Sequence, residues 1–274
     1  MEIMIAGLGL IGGSMAKSLN RAGFSVDGFD REEVVDFALK ENIIKSKAED
    51  FSKYDLVFIA LPPDATMDFI DNNEFKNNAI VADICGVKTV VEKTVYSKDR
   101  NFKYVGCHPM AGKEVSGIQN STESLFDKAN MIIVENENTD KEAVVVLEEI
   151  FDKMGFKLIK KCSADHHDTK IAYTSQLAHI VSNAYVKSPS AKDYVGFTGG
   201  SFQDMTRIAG VDEDVWTRLY MLNREKISKE LSILILNLSK YLVAFESNDE
   251  EGLKNLLKEG RSAKKQLDIE KPII

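Results

Sequence analysis

The sequence predicts an α/β fold, in which a doubly wound, mostly parallel N-terminal sheet is followed by an all-helical C-terminal domain. In the first part of the chain, short apolar runs alternate with polar stretches that are compatible with helix, a pattern typical of βα units. After about Ser163 these runs end and the sequence has helical periodicity. We therefore expect two domains, residues 1–162 and 163–274, that pack directly against each other.

Seven apolar runs are the predicted strands. They cover residues 3–6, 25–29, 56–61, 79–84, 104–107, 131–134 and 156–159. Three helical segments are predicted beyond them, over residues 165–187, 212–245 and 248–265. A glycine-containing break separates the first two of these segments.

The longest predicted helix begins at Asp212, whose side chain is a good N-cap, and two further acids follow in the first turn. Apolar residues then recur mostly every three or four positions, and residues 233–236 are apolar in all directions around the helix axis. A helix of this kind is buried on all sides, and a domain of about 110 residues has little interior to offer. We expect the helix to form a homodimer interface. Burial against the first domain alone is the alternative.

Composition excludes several classes of protein. The chain has 274 residues and a formal net charge of −8, so it repels nucleic acid, and no basic face interrupts the acidic balance. Its N-terminal apolar stretch is broken by glycines, which is unlike a signal peptide, and its most apolar run elsewhere, residues 231–238, is too short to cross a membrane. Three cysteines without regular spacing argue against a disulfide framework and favour the cytoplasm.

A glycine motif, Gly7-Leu8-Gly9-Leu10-Ile11-Gly12, follows the first predicted strand and opens a helix. In this context it indicates a Rossmann-type site for a dinucleotide. Gly7 permits the turn, Gly9 lets the backbone approach a pyrophosphate, and Gly12 allows close packing of helix and strand. The amide groups at the start of the helix, including those of Leu10 and Ile11, then face the phosphates.

The second predicted strand ends at Asp30, where the acid that binds the adenosine ribose belongs. A carboxylate there repels a 2′-phosphate, so we expect NAD as the cofactor. Arg31 leaves NADP open, because an arginine beside that strand can neutralise a 2′-phosphate. Leu61 lies in the turn formed by residues 60–63, where the run 56–61 ends, at the sheet edge where ligands bind, and is expected to contact the cofactor.

His108 follows a strand-like run at the same edge and is the candidate general base. On the predicted helix 165–187, Ser175 and Ala172 share a face with His179, which is either a ligand-binding or a core histidine. Arg207 lies in a small, apolar segment and is a candidate for a partly buried arginine that binds an anion. His166 and His167 are interpreted as first-turn surface residues, since adjacent helical positions cannot bind one metal ion; no metal site is expected.

Four segments in order along the chain resemble the prephenate dehydrogenase (TyrA) family. They are the glycine motif, Gly106-Cys-His-Pro-Met-Ala-Gly112 with Glu114, Ser175-Gln-Leu-Ala-His179, and Asp204-Met-Thr-Arg207-Ile-Ala. The resemblance implies NAD-dependent oxidative decarboxylation of prephenate to 4-hydroxyphenylpyruvate in tyrosine biosynthesis. It also implies a helical dimerisation domain, His108 as the catalytic base, and prephenate binding by Arg207, Ser175 and His179, the last favouring prephenate over arogenate.

The chain departs from the family pattern at two places. Gly86 stands where the family often has a serine that orients the catalytic histidine, and Gln176 replaces the first of two histidines. The chain has no room for the chorismate mutase or ACT domains of many relatives, so we expect a monofunctional enzyme.

Two alternatives remain among the dehydrogenases. One is an arogenate dehydrogenase. The other is a dehydrogenase of the 3-hydroxyacid type, which would use a lysine on the first long helix of the second domain; Lys170 is available there, without the expected neighbours. A silent NAD-binding protein is a third reading, and it predicts cofactor binding without turnover.

Overall fold

The computed structural model describes residues 1–269 and has one seven-stranded sheet in that range. Its strands are β1 (Ile3–Ala6), β2 (Val26–Phe29), β3 (Leu56–Ile59), β4 (Ile80–Asp83), β5 (Lys103–Pro109), β6 (Asn130–Val134) and β7 (Leu158–Cys162). Each overlaps a predicted run, with ends that differ by a few residues. The fold class expected from the sequence is confirmed.

Eleven α-helices lie within the described residues. They are α1 (Leu10–Arg21), α2 (Glu32–Lys40), α3 (Pro63–Asn72), α4 (Thr89–Val95), α5 (Lys141–Lys153), α6 (Ala164–Ile171), α7 (Leu177–Tyr185), α8 (Gly200–Thr206), α9 (Glu213–Leu222), α10 (Arg224–Glu246) and α11 (Glu250–Ile269). No helix is predicted at the position of α8, which lies in the segment expected to be a break.

The strand order is β2-β1-β3-β4-β5-β6-β7, and every neighbouring pair is parallel except β5 and β6. Alternate strand residues enter two separate cores: Ile3 and Ile5 face one side with α1, α2 and α5, while Met4 and Ala6 face the other with α3 and α4. Burial on both faces explains why β1, β3 and β4 read as continuous apolar runs.

The strand order reverses between β1 and β3, since the chain passes from β1 to β2 and then returns to β3 on the far side of β1. In open α/β sheets such a reversal leaves a crevice beyond the carboxyl ends of the strands, where ligands bind. The glycine motif follows β1, Leu61 follows β3, and Gly86 follows β4. The fold therefore brings the predicted cofactor residues and the turn after β4 to one edge of the sheet.

The helix predicted over residues 165–187 contains a π turn. Between α6 and α7, residues Ala172–Gln176 form one turn of π-helix. This wider turn changes the helical register, so residues before and after it do not share the face expected from α-helical spacing.

The helix predicted over residues 212–245 is wrong as a continuous element, because the chain breaks at Asn223 between α9 and α10. Asp212 does cap α9, accepting a hydrogen bond from the Val215 amide at 2.9 Å. Asn223 leaves helical geometry, with φ −118° and ψ 20°, and its buried side chain donates to Gln176 Oε1 at 2.7 Å and to the Asp168 carbonyl at 2.9 Å. These hydrogen bonds come from elsewhere in the chain, and local periodicity does not reveal them.

Residues 1–224 form one compact unit and the segment from Glu225 onward forms a second. In the second unit, α10 exposes a series of large apolar side chains: Ile233, Ile235, Leu236, Leu238, Leu242, Val243 and Phe245. Among residues 1–269, no helix has both the length and the apolar character needed to cross a membrane. The last strand ends at Cys162 and α6 begins at Ala164, while the division into domains at residue 162 stays a prediction.

Candidate active site

The turn after β1 is built so that only glycine fits at two positions. Gly7 has a φ of +89°, and a Cβ there would lie 2.5 Å from the Ala60 carbonyl oxygen. At Gly12 a Cβ would lie 1.8 Å from the Gly7 carbonyl oxygen. The first turn of α1 thus packs directly against the end of β1.

Gly9 has a different environment, because no atom lies within 4 Å of the position where its Cβ would be. It is the N-cap of α1, no side chain caps the helix, and the first turn carries no acid. The first amide groups of a helix, here those of Leu10, Ile11 and Gly12, have no acceptor within the helix. Open space before uncapped amides is what a pyrophosphate group requires, so these residues fit a dinucleotide.

Asp30 lies at the end of β2 beside this turn. Its Oδ2 accepts a hydrogen bond from the Leu8 amide at 2.6 Å, and its Oδ1 accepts from the Arg31 amide at 2.7 Å. The Arg31 side chain is 77% exposed and forms ion pairs with Glu33 at 3.4 Å and with Asp30 at 3.9 Å. The carboxylate is therefore fixed next to the glycine turn, whereas the arginine extends into solvent.

A cavity of about 650 Å³ lies in the first unit and brings together four of the predicted site residues, His108, Ser175, His179 and Arg207. Gly86, Glu114, Gln176 and Trp216 also line it. Gly86 follows β4 and His108 is near the end of β5, so the cavity opens at the same sheet edge as the glycine turn. Lys170, the residue required by the 3-hydroxyacid alternative, is exposed and is not among the lining residues.

His108 is part of β5, one position before the strand ends at Pro109, and its backbone pairs with Ile132 of β6. Its Nδ1 lies 2.8 Å from Nε2 of His167. A Cβ on Gly86 would be 3.8 Å from the other ring nitrogen, Nε2, which places Nε2 on the cavity side. Burial lowers the pKa of His108 well below its usual value, and the nearby His167 and the Lys88 ammonium add to this effect.

The interpretation of His167 as a surface residue is wrong. Its side chain is buried, and its Nδ1 lies 2.8 Å from Oδ1 of Asp168, whereas His166 is exposed as expected. Ala164, His167 and Ile171 follow helical spacing and are all buried, which is the sequence signal that could have found this residue. The pKa of His167 is lowered, since burial outweighs the opposing effect of Asp168.

Below the cavity lies a fully buried ion pair. The Lys88 ammonium contacts the Asp83 carboxylate, which also accepts from the Tyr104 hydroxyl at 2.6 Å and from the Cys85 amide at 2.9 Å. Burial and the Asp83 charge raise the pKa of Tyr104 well above its usual value. A buried charge requires compensating partners, and the Asp83 carboxylate has three: the Lys88 ammonium, the Tyr104 hydroxyl and the Cys85 amide.

His179 lies on α7 and lines the cavity, as does Ser175. The expected position of Ala172 on the same face is wrong, because the π turn moves Ala172 into the protein interior, where it is fully buried. His179 Nδ1 lies 2.9 Å from the Ile208 carbonyl and therefore donates to it. Its ring centroid is 4.1 Å from that of Trp216.

Gln176 was identified only as a departure from a family pattern, yet it is 2% exposed and lines the cavity. Its Oε1 accepts the hydrogen bond from Asn223, so its amide nitrogen is left as a donor toward the cavity.

Arg207 is not partly buried as expected. It caps the C-terminus of α8, its side chain is 67% exposed, and its Nη1 forms an ion pair with Oε1 of Glu114 at 2.8 Å. Arg207 directly follows α8, a helix not predicted from the sequence, and the small residues Ala209 and Gly210 come after it, outside that helix. The charged end of Arg207 therefore lies at the rim of the cavity, opposite a carboxylate.

Within residues 1–269 no group of three or more histidine, cysteine or acidic side chains could hold a metal ion. A glycine turn that fits a dinucleotide, together with a histidine-containing cavity at the same edge of a doubly wound sheet, is typical of a dinucleotide-dependent dehydrogenase.

Comparison with known proteins shows which family of dehydrogenases the chain belongs to. Residues 15–160 match the profile "Prephenate dehydrogenase, nucleotide-binding domain", and residues 163–259 match "Prephenate dehydrogenase, dimerization domain". The chain belongs to the prephenate dehydrogenase family, which confirms the resemblance inferred from its motifs.

Individual relatives agree with this result. A prephenate dehydrogenase of Lactococcus lactis subsp. cremoris is 27% identical over 98% of this chain and 78% of its own length. The structure of prephenate dehydrogenase from A. aeolicus with hydroxyphenyl propionate and NAD⁺ has a TM-score of 0.83 and 27% identity, and the match covers 97% of this chain and 98% of that one. Synechocystis arogenate dehydrogenase has a TM-score of 0.78 and 25% identity, over 97% of this chain and 100% of that one.

Alanine substitutions at Gly12 and Gly9 should cause different defects. Thermal denaturation measures the stability of each variant, and calorimetric titration with NAD measures its binding. Gly12→Ala forces a Cβ against the Gly7 carbonyl and should destabilise the protein by about 1–3 kcal/mol. Gly9→Ala has room in the free protein and should keep the melting temperature while weakening NAD binding, because the added methyl group occupies the space needed by the pyrophosphate. Gly260→Ala, in open space on α11, is the control. Equal thermal destabilisation by both substitutions would contradict this assignment.

Proposed function

We propose that this protein oxidatively decarboxylates prephenate to 4-hydroxyphenylpyruvate with NAD, in tyrosine biosynthesis. The observation that carries the proposal is His108, whose Nε2 faces a cavity that opens beside a dinucleotide-binding turn in a member of the prephenate dehydrogenase family. NAD, when bound, accepts the hydride from the ring carbon that carries the hydroxyl group.

The role of His108 follows from the chemistry of prephenate. As hydride leaves the ring carbon, the hydroxyl on that carbon becomes a carbonyl and must lose its proton. Neutral His108 takes this proton at Nε2, and its lowered pKa keeps it neutral for the task. The ring carboxylate then leaves as carbon dioxide, and the electron pair of the broken carbon–carbon bond moves through the ring onto the carbonyl oxygen as the ring becomes aromatic. That oxygen takes the proton back from Nε2 of His108 and becomes the hydroxyl group of 4-hydroxyphenylpyruvate, so no further oxidant and no net proton release are required.

We assign cofactor contacts to Gly7, Gly9, Leu10, Ile11, Gly12, Asp30 and Leu61. Asp30 selects NAD, because its fixed carboxylate accepts from the ribose hydroxyls and repels a 2′-phosphate. Arg31, the residue that left NADP open, is 77% exposed, and its charge is shared between ion pairs with Glu33 and Asp30. Its proposed contribution is limited to the rim of the cofactor site.

Substrate binding requires local positive charge, because prephenate is a dianion and the protein has a net charge of −8. We assign one carboxylate to Arg207 and the pyruvyl side chain to His179 and Ser175. His179 donates from Nδ1 to a backbone carbonyl, which leaves its Nε2 for the substrate. An arogenate dehydrogenase among the structural neighbours keeps arogenate, which carries an amino group on this side chain, as the second candidate substrate.

The decisive experiment is NADH or NADPH formation measured in four arms, with NAD or NADP and with prephenate or arogenate. We expect turnover with NAD and prephenate. Preference for arogenate would overturn the role given to His179, and preference for NADP would overturn that of Asp30. Absence of turnover in all four arms would contradict the proposed function.

His108→Asn should retain substrate binding while kcat falls by about 10²- to 10⁴-fold, the contribution of a positioned base. Since burial lowers the pKa of His108, the acid limb of kcat/KM in the wild type should lie below the ordinary histidine value of about 6.5. Activity is lost only as the pH falls through the lowered pKa, where Nε2 takes a proton from solvent. His166→Asn is the control, and an unchanged kcat in His108→Asn would remove His108 from the mechanism.

Because Arg207 and Glu114 form an ion pair, substitutions of the two residues should change KM for prephenate in opposite directions. Arg207→Ala should raise KM for prephenate strongly, because a substrate carboxylate loses its partner. Glu114→Gln should lower KM, because the resident carboxylate no longer competes for the guanidinium; exposed pairs of this kind contribute only about 0–1 kcal/mol and are readily exchanged. Arg218→Ala, an exposed arginine on α9 outside the cavity, is the control. An unchanged KM in Arg207→Ala would contradict the assignment.

We further propose a cytoplasmic homodimer. The C-terminal match is to a dimerization domain, and α10 exposes seven large apolar side chains in the single chain. Light scattering at micromolar concentration should give twice the chain mass, and Leu236→Glu should reduce it, with Lys240→Glu as an exposed control on the same helix. A monomeric mass for the wild type would exclude the homodimer.

A further inference from the structure

We propose that His167 and Asp168 position His108 and decide which of its two ring nitrogens carries the proton. The proposal rests on His108 as the base of the proposed function. It assigns to two neighbouring residues a task for which the turn after β4 offers only Gly86, a residue without a side chain.

Asp168 is the fixed end of this chain of contacts. Its Oδ1 accepts from the Lys88 amide and its Oδ2 from the Thr89 amide, both at 2.9 Å, at the start of α4. Burial opposes ionisation, but the hydrogen bonds from His167 and from these amides outweigh it and lower the pKa of Asp168 to about 2. Asp168 is therefore an anion that only accepts hydrogen bonds.

The direction of each hydrogen bond then follows. Because Asp168 only accepts, His167 must carry a proton on Nδ1, which donates to Oδ1 at 2.8 Å. The pKa of His167 is lowered, so the ring is neutral and its Nε2 is unprotonated. His108 must then donate from Nδ1 to this Nε2 at 2.8 Å. A neutral His108 with a proton on Nδ1 has a free lone pair on Nε2, which faces the cavity.

In the described part of the chain, the hydrogen bond to His167 is the one that holds the His108 ring in place. The Cβ position of Gly86 is 3.8 Å from Nε2 and brings no polar group to it. His108 is thus held at Nδ1 and left open at Nε2, as a general base requires. When Nε2 takes the substrate proton, the positive charge on the ring is stabilised by the Asp168 anion through His167.

His167 and Asp168 are positioning residues, since they act on the substrate only through His108. The wrong tautomer, with the proton on Nε2, would present a donor to the substrate hydroxyl and could not accept its proton. Loss of the relay should therefore affect kcat and leave substrate binding intact, as expected for an interaction made in the transition state.

Three variants isolate this effect. His167→Leu removes the acceptor for His108 while keeping an apolar side chain in the buried site. His167→Gln keeps an oxygen that can accept from His108 Nδ1 and an amide that can donate toward Asp168, so it is the conservative rescue. His166→Leu, at the exposed neighbouring position on α6, is the matched control.

The first measurement is the tautomer of His108 by ¹⁵N NMR of the full-length protein without substrate or cofactor. The chain has only four histidines, and the His108→Asn spectrum identifies the signal. We expect a proton on Nδ1 in the wild type, in His167→Gln and in His166→Leu, and a shift toward the Nε2 tautomer in His167→Leu. An unchanged tautomer in His167→Leu would overturn the proposal.

The second measurement is the kinetics of the same variants. His167→Leu should lower kcat by about 10²-fold, the lower end of the contribution of a general base, with KM within about twofold of the wild type. His167→Gln should recover most of the loss, and His166→Leu should have none. Equal kcat in His167→Leu and the control would also overturn the proposal.

These results separate this inference from the proposed function. If the wild type turns over none of the tested substrates, the proposed function fails, while the NMR measurement still decides whether His167 sets the tautomer. If His167→Leu does not fold, His167→Gln remains: a proton on Nε2 of His108 in that folded variant would contradict the relay.

Discussion

The buried carboxylate of Asp168 is the interaction on which the rest of the site depends. The Asp168 side chain accepts hydrogen bonds from two amides at the start of α4 and from His167. The backbone carbonyl of Asp168 accepts one from the Asn223 side chain. Hydrogen bonds to charged groups contribute about 1.5–3 kcal/mol each, more than neutral ones. One anion thereby joins the sheet-bearing segment to the first helix after it, and aligns His108 at the end of β5.

Parallel strand order explains why the remaining groups meet. The strands β1, β3, β4 and β5 point the same way, so their carboxyl ends bring the glycine turn, Gly86 and His108 to one edge. The same geometry buries Asp83 and Lys88 beneath the cavity, where the ammonium favours neutral His108. The Lys88 ammonium can lie buried close to His108 because it forms an ion pair with Asp83. The Asp83 carboxylate in turn accepts a hydrogen bond from Tyr104.

The sequence predicted the parts of the fold that local patterns determine. Strands buried on both faces are continuous apolar runs, and the glycine turn has fixed spacing, so both could be found without a structure. The burial of His167 follows the helical spacing of Ala164 and Ile171, but this spacing does not reveal its contact with His108. The environments of Asn223 and Arg207 could not be found from local patterns, because residues elsewhere in the chain set them. Asn223 breaks a periodic helix to satisfy buried groups on α6 and in the π turn, and Arg207 forms an ion pair with Glu114 at the rim of the cavity.

The three cysteines differ in burial and position, so their rates of alkylation report which part of the sheet opens. Cys107 lies within the sheet, in β5, and Cys85 lies in the turn that follows β4. Both are buried, and burial raises the pKa of both thiols, so alkylating reagents reach them only when the structure around these two strands opens. Cys162 is half-buried at the end of β7, the edge strand. Mass spectrometry of timed alkylation would therefore distinguish fraying at the sheet edge, through Cys162, from rupture of its centre, through the other two thiols.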